Sequence, residues 1–261
     1  MIGIFDSGLG GLTALKEVRK KMPGEDIVYF GDTGRVPYGT RSPETIIRYA
    51  TEDMRFLMKF SPRAVIAACG TVSANALPEL RKIFDIPIIG VVEGAAEAAV
   101  KNTANRKIAV IGTTATIKSG AFEREIHRLD SSVEVVSQDC PLFVPLVENG
   151  FVGEDDEIAL MVCKKYLKQI DESGADTVIL GCTHYPIIAH LIAKVLPGRK
   201  LINTGEEAAR KALDILGKPE RGEASVRYYA SDDVTMFKNT ASLFLGEDPV
   251  GKVEMVNPMD F

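Results

Sequence analysis

Short apolar runs alternate with longer amphipathic stretches from one end of this 261-residue chain to the other. A run of four or five apolar residues reads as a strand buried on both faces, and the stretch that follows reads as a crossover helix. The pattern therefore predicts an α/β protein built on parallel sheets. Strands are expected near residues 2–5, 27–30, 64–68 and 88–91, with helices over 11–22 and 43–60. From Lys107 the pattern starts again, with strands near 108–111, 133–136, 177–180 and 200–202.

The two halves match in order as well as in pattern. In the first, strand one leads into Asp6-Ser7-Gly8, strand two into Val36-Pro37-Tyr38-Gly39, and strand three into Cys69. In the second, the corresponding points are Gly112-Thr113-Thr114, the passage from Val144 to Gly150, and Cys182. The two cysteines are separated by nearly the same length of chain as the two first strands, the signature of a structural repeat. After Asn203 come a helix over 206–216, a polar glycine-bearing passage over 217–222, a strand near 226–230, a helix capped by Ser231 or Asp232, and a strand near 252–256. This tail is too short for a domain and is expected to return to the first half. The expected division is residues 1–93 with 206–261 in one domain and 94–205 in the other.

Four cysteines with no C-x-x-C pair fit neither a disulfide scaffold nor a zinc ribbon, and point to a reducing, cytoplasmic setting. The first residues lack the basic start and apolar stretch of a secretory signal, and no run approaches the roughly 18 apolar residues of a membrane span. A net charge of −5 without a basic block argues against nucleic acid as a partner. The turn Asp6-Ser7-Gly8-Leu9-Gly10-Gly11 fails the G-x-G-x-x-G pattern at Thr13, and its acidic residue would repel a pyrophosphate, so no nucleotide cofactor is expected. Asp6, Glu148 and His184 do not form a metal-ligand spacing, and their plainer role is as capping or surface groups.

In open α/β sheets ligands sit beyond the carboxyl ends of the strands, near the point where strand order reverses. If each half orders its strands 2-1-3-4, Asp6 lies beside Cys69, and Thr113 or Thr114 beside Cys182. Facing halves would put the two thiols on opposite walls of one cleft. A lone cysteine after a buried strand is ordinarily a small core residue; recurrence in matched settings argues for more. Cys140 and Cys163 lack such a match and are read as packing, as are His127 and His190. A thiol acts as a base only as thiolate, and its ordinary pKa of about 8.5 must fall for that. Pro186 suits the first turn of a helix, which would leave free backbone amides near Cys182 and Thr183, and His184 can hold or relay a proton. Opposed thiols suit inversion at a carbon acid: one removes the α-hydrogen and the other delivers a proton to the opposite face. Ser7, Gly39, Thr71, Thr114 and Thr183 can receive a carboxylate, and Asp6 can hold an ammonium group or assist Cys69.

The motifs Asp6-Ser-Gly-Leu-Gly-Gly11, Val36-Pro-Tyr-Gly39, Cys69 with Thr71, Cys140-Pro-Leu-Phe-Val-Pro-Leu-Val-Glu148 and Gly181-Cys-Thr-His-Tyr-Pro186, with Tyr229-Ala-Ser-Asp232 in the tail, resemble glutamate racemase of the cofactor-independent aspartate/glutamate racemase superfamily. The resemblance runs nearly end to end. It implies two pseudo-symmetric, flavodoxin-like parallel-sheet domains with the active site at their interface, and conversion of L-glutamate to D-glutamate for peptidoglycan without a cofactor. It implies Cys69 and Cys182 as the acid/base thiols, Asp6 as helper to the first, and His184 with Glu148 as helpers to the second. Ser7, Pro37, Tyr38, Gly39, Gly70, Thr71, Thr114, Thr183 and His184, with Asp6, match substrate-binding positions, and a homodimer is implied. One position departs from the family: Gly70 stands where asparagine usually follows the first catalytic cysteine. The missing amide contact would then come from backbone, water, Ser73 or Asn75. The competing readings are an aspartate or related amino-acid racemase, and a racemase-like protein that binds an amino acid without turning it over.

Overall fold

A computed structural model describes residues 1–219, 224–249 and 251–260. The predicted passage at 217–222 therefore lies partly outside the described residues. Two parallel sheets carry the chain. The first contains β1 (Ile2–Asp6), β2 (Ile27–Gly31), β3 (Val65–Ala67), β4 (Ile88–Ile89), and then β9 (Val226–Ala230) and β10 (Val253–Met255) from the tail; its order is β10-β9-β2-β1-β3-β4. The second contains β5 (Lys107–Gly112), β6 (Glu134–Asp139), β7 (Thr177–Leu180) and β8 (Lys200–Asn203), in the order β6-β5-β7-β8. Both halves thus follow the expected 2-1-3-4 order, and the tail strands extend the first sheet, with β9 pairing in parallel with β2 from Ile27↔Val226 to Gly31↔Ala230.

The central strands form where the apolar runs lie because both faces are buried, whereas edge strands such as β6 are only partly covered. Every residue of β1 and β2 is buried, and fully burying a side chain such as Ile4 or Phe30 contributes about 2 kcal/mol. The crossovers are α1 (Leu12–Lys21), α2 (Pro43–Met58), α3 (Gly70–Asn75), α4 (Leu77–Ile83) and α5 (Val92–Asn102) in the first half. The second half has α6 (Thr114–Ser119), α7 (Ala121–Leu129), α8 (Phe143–Glu148), α9 (Glu157–Ser173), α10 (Ala189–Val195) and α11 (Thr204–Leu216), and the tail has α12 (Val234–Leu245). Local signals set their ends. Ser42 caps α2 with Pro43 at its first position, Asp156 caps α9 through the Ala159 amide, and Gly174 ends α9 in a left-handed conformation.

Two local expectations are corrected. The cap of α12 is Asp233, whose carboxylate accepts from the Met236 amide at 2.8 Å. Ser231 and Asp232 are committed instead to the turn after β2: the Ser231 hydroxyl donates to Asp32 Oδ1 at 2.7 Å and accepts from the Gly34 amide, while the Thr33 hydroxyl donates to the Asp232 carbonyl. Pro186 lies in a short 3-10 turn, Tyr185–Ile188, with α10 beginning only at Ala189. The amides nearest Cys182 are therefore not those of an α-helix. Among the described residues, no helix is long and apolar enough to cross a membrane.

Candidate active site

The carboxyl ends of β1, β2 and β3 face those of β5 and β7 across a cavity of about 350 Å³. Cys69 follows β3 and Cys182 follows β7, and both line this cavity with Ser7, Pro37, Tyr38, Gly39, Gly70, Thr71, Thr114, Glu148, Thr183 and His184. Asp6, by contrast, does not line it. It sits behind Ser7 and Gly8, fully buried, with one carboxylate oxygen accepting from the Gly8 amide at 3.0 Å and the other without a hydrogen-bond partner among the described residues. Burial raises the pKa of Asp6, and the opposing influence of His184 does not cancel it.

The two thiols have different surroundings. Cys69 Sγ donates to the Ser7 hydroxyl at 3.4 Å, which leaves Ser7 its own proton to give. Burial, and then the nearby Asp6 carboxylate, push Cys69 up to about 12, against the weaker pull of Ser7 and the Val72 amide. The resting fold therefore holds Cys69 as a thiol; the lowered pKa expected for both cysteines does not apply to it. Cys182 Sγ lies 3.9 Å from His184 Nδ1, and His184 Nε2 lies 3.0 Å from Glu148 Oε1. Burial disfavours the imidazolium, but the hydrogen bonds to Cys182 and Glu148 outweigh it and push His184 up to about 10. Phe244, from α12 in the tail, meets the imidazole edge-on at 5.2 Å, which fixes the ring plane. One wall thus carries a neutral proton donor, and the other carries a thiol paired with a cation.

Several expected substrate contacts are otherwise engaged. The Tyr38 hydroxyl donates to Asp32 and lies 3.2 Å from Asp53, so its proton is already committed. Thr114 donates to Asp139 at 2.8 Å, and Thr71 shares a hydrogen with Thr113 at 2.9 Å. Neither residue offered as a substitute for the missing asparagine reaches the cavity: Ser73 donates to the Ala67 carbonyl and Asn75 to the Thr71 carbonyl, both at 2.8 Å. Cys140 and Cys163 are packed in the core, and burial raises both pKa values. Residues the motifs contained but sequence reasoning did not single out also line the cleft: Val36 beside Pro37, and Pro141, Val144 and Pro145 ahead of Glu148. Their place inside the quoted motifs was the available signal. Thr13, near the start of α1, donates to the Thr183 carbonyl at 2.9 Å, a contact that no local pattern announces.

Two cysteines that follow matched strands of two parallel sheets line one cavity, and comparison with known proteins gives the family. The Asp/Glu/Hydantoin racemase family matches over residues 13–212, and the chain belongs to that family: it is an amino-acid racemase. It is similar to the glutamate racemase of Geobacter metallireducens, with 44% identity over 251 residues, covering 94% of this chain and 92% of that one. Its fold is similar to that of glutamate racemase from Francisella tularensis in complex with D-glutamate, with a TM-score of 0.93, 36% identity, and coverage of 100% of this chain and 98% of the other. The Escherichia coli glutamate racemase, in complex with L-glutamate and the activator UDP-MurNAc-ala, gives a TM-score of 0.81 at 27% identity, covering 98% and 97% of the two chains.

Proposed function

We propose that this protein interconverts L- and D-glutamate through Cys69 and Cys182, with no group beyond its own side chains, and so supplies D-glutamate for peptidoglycan synthesis. The observation that carries the reading is that both cysteines, from matched strands of two sheets, line one cavity. Relatives that share over two-fifths of its residues are glutamate racemases, and similar structures hold D-glutamate and L-glutamate, which supports glutamate as the substrate.

In one direction, the Cys182 thiolate takes the α-hydrogen of the bound amino acid and becomes a thiol. The electron pair left at the α-carbon is spread into the adjacent carboxylate. Cys69 delivers its proton to the opposite face, and the C–H bond reforms inverted with Cys69 as thiolate. The reverse run starts from that state. His184, held by Glu148, offsets negative charge on Cys182, and the Ser7 hydroxyl does the same for Cys69. Positioning and electrostatic stabilisation carry most of the load, because an amino-acid α-carbon is a very weak acid. Asp6 acts through Cys69 from outside the cavity wall.

We further assign residues 1–93 with 206–261 to one domain and 94–205 to the other, place the protein in the cytoplasm, where its free thiols stay reduced, and take the assembly to be a homodimer. Polarimetric assay with L- and D-glutamate, with L- and D-aspartate alongside and no added pyridoxal phosphate, tests the reading. Turnover of both glutamate enantiomers is expected; preference for aspartate, or tight binding without turnover, would overturn it.

A further inference from the structure

Gly70 has no conformational reason to be glycine. Its φ lies outside the left-handed region, so any residue could adopt its backbone. What excludes a side chain is space. A Cβ there would lie within 3.0 Å of the Gly181 carbonyl oxygen, 3.1 Å from its carbon and 3.8 Å from Cys182 Cα. The residue after one thiol thus lies bare against the residue before the other. The obstacle is backbone on both sides, so no rotamer change relieves it.

The contact belongs to a seam. A Cβ at Gly39 would meet Thr113 Cβ at 2.8 Å, and one at Gly10 would meet His184 Nδ1 at 2.5 Å. Hydrogen bonds fasten the same seam: the Ala115 amide to the Gly39 carbonyl at 3.0 Å, and Thr71 to Thr113 at 2.9 Å. We propose that Gly70 is a positioning residue: its bare backbone, with Gly39 as the second point of the same seam, sets the separation of the Cys69 and Cys182 thiols, so that the asparagine expected at position 70 cannot be accommodated. The proposal rests on the two-thiol reading. Any side chain at position 70 forces one catalytic loop back by about an ångström, and a displacement of that size at reacting atoms costs about 100-fold in rate.

The test compares Gly70→Ala with Gly70→Asn, assayed with both enantiomers, with thermal melting as the folding control and Cys69→Ala and Cys182→Ala in parallel. Both Gly70 variants are expected to fold, melting about 5 °C below the wild type, and to lose about 100-fold in kcat, with KM moving far less. The two should fall together, because the Cβ is the cause and the amide is immaterial. Since enantiomers have equal free energy, kcat/KM must drop by the same factor in both directions. Near wild-type kcat in either variant, or a lower KM in Gly70→Asn, would overturn the proposal. If the Gly70 variants do not fold, Gly39→Ala is read by the same criteria: a kcat loss with little change in KM supports the seam, and unchanged kcat sinks it. Activity surviving in either cysteine variant would instead count against the two-thiol reading itself.

Discussion

At the level of single residues, the proposed mechanism depends on unequal thiols. Cys69→Ala and Cys182→Ala should each abolish racemisation while moving the melting temperature by only about 3 °C, since each removes one sulfur from a cavity wall. Racemisation at near wild-type rate in either variant, followed by polarimetry, would remove that residue from the mechanism. His184→Gln should lower kcat by about 100-fold through loss of the cation beside Cys182. It should also change how stability responds to pH. The folded pKa of His184 is raised from 6.5 to about 10, so the fold holds this proton more tightly than the unfolded chain does. Its contribution is complete below 6.5 and is lost as pH climbs through about 10. Urea midpoints of the wild type should fall across that window, and those of His184→Gln should fall less. A fall of equal size in both would show that the imidazole carries no such linkage. Cys69, raised from 9.0 to about 12, loses its contribution between those values in wild type and variant alike, so the difference between the two profiles reports the imidazole.

At the scale of elements, the strands were legible because a parallel strand needs only a short apolar run, and such runs stand out against amphipathic helices. Thr177–Leu180 and Val226–Ala230 coincide with the residues expected. Caps were less legible where one residue had rival partners: Ser231 and Asp232 have capping chemistry but are drawn to the turn after β2, leaving Asp233 to start α12. Least legible was the network that holds the Val36–Gly39 wall. Arg35 reaches Asp32 at 2.6 Å, Asp53 at 2.8 Å and Glu52, and stacks over Tyr49 at 4.3 Å, while Tyr38 donates to Asp32. These residues come from a turn and from the middle of α2, and no local pattern joins them. Burial, with Asp32 close by, raises the pKa of Asp53 well above the usual carboxylate range, and Arg35 opposes it. Arg35→Met should take the cation away from two fully buried carboxyl groups, leaving them only hydroxyl donors, and cost about 3 kcal/mol, read as a lower denaturant midpoint. An unchanged midpoint would mean that the network is not structural.

At the level of the whole molecule, the repeated strand order explains why two similar loops bring similar residues to one cavity. The order could be anticipated because each half repeats the sequence of run, turn and run; the seam between halves could not, since contacts such as Thr13 with the Thr183 carbonyl are made across unrelated parts of the chain. The tail completes the first sheet. Cutting the chain after residue 219 should expose the β2 edge and the face of Tyr29 that packs on Tyr228 and Phe237, giving insoluble protein; a soluble, cooperatively melting fragment would contradict this. Proton exchange at both faces of one carbon can be followed by incubating L-glutamate with the enzyme in heavy water and observing the α-hydrogen by mass spectrometry and NMR. Newly formed D-glutamate should carry deuterium at the α-carbon from the first turnovers, while the remaining L-glutamate is still largely protonated. D-glutamate that retains the original hydrogen, or no exchange with either enantiomer, would contradict the proposed mechanism.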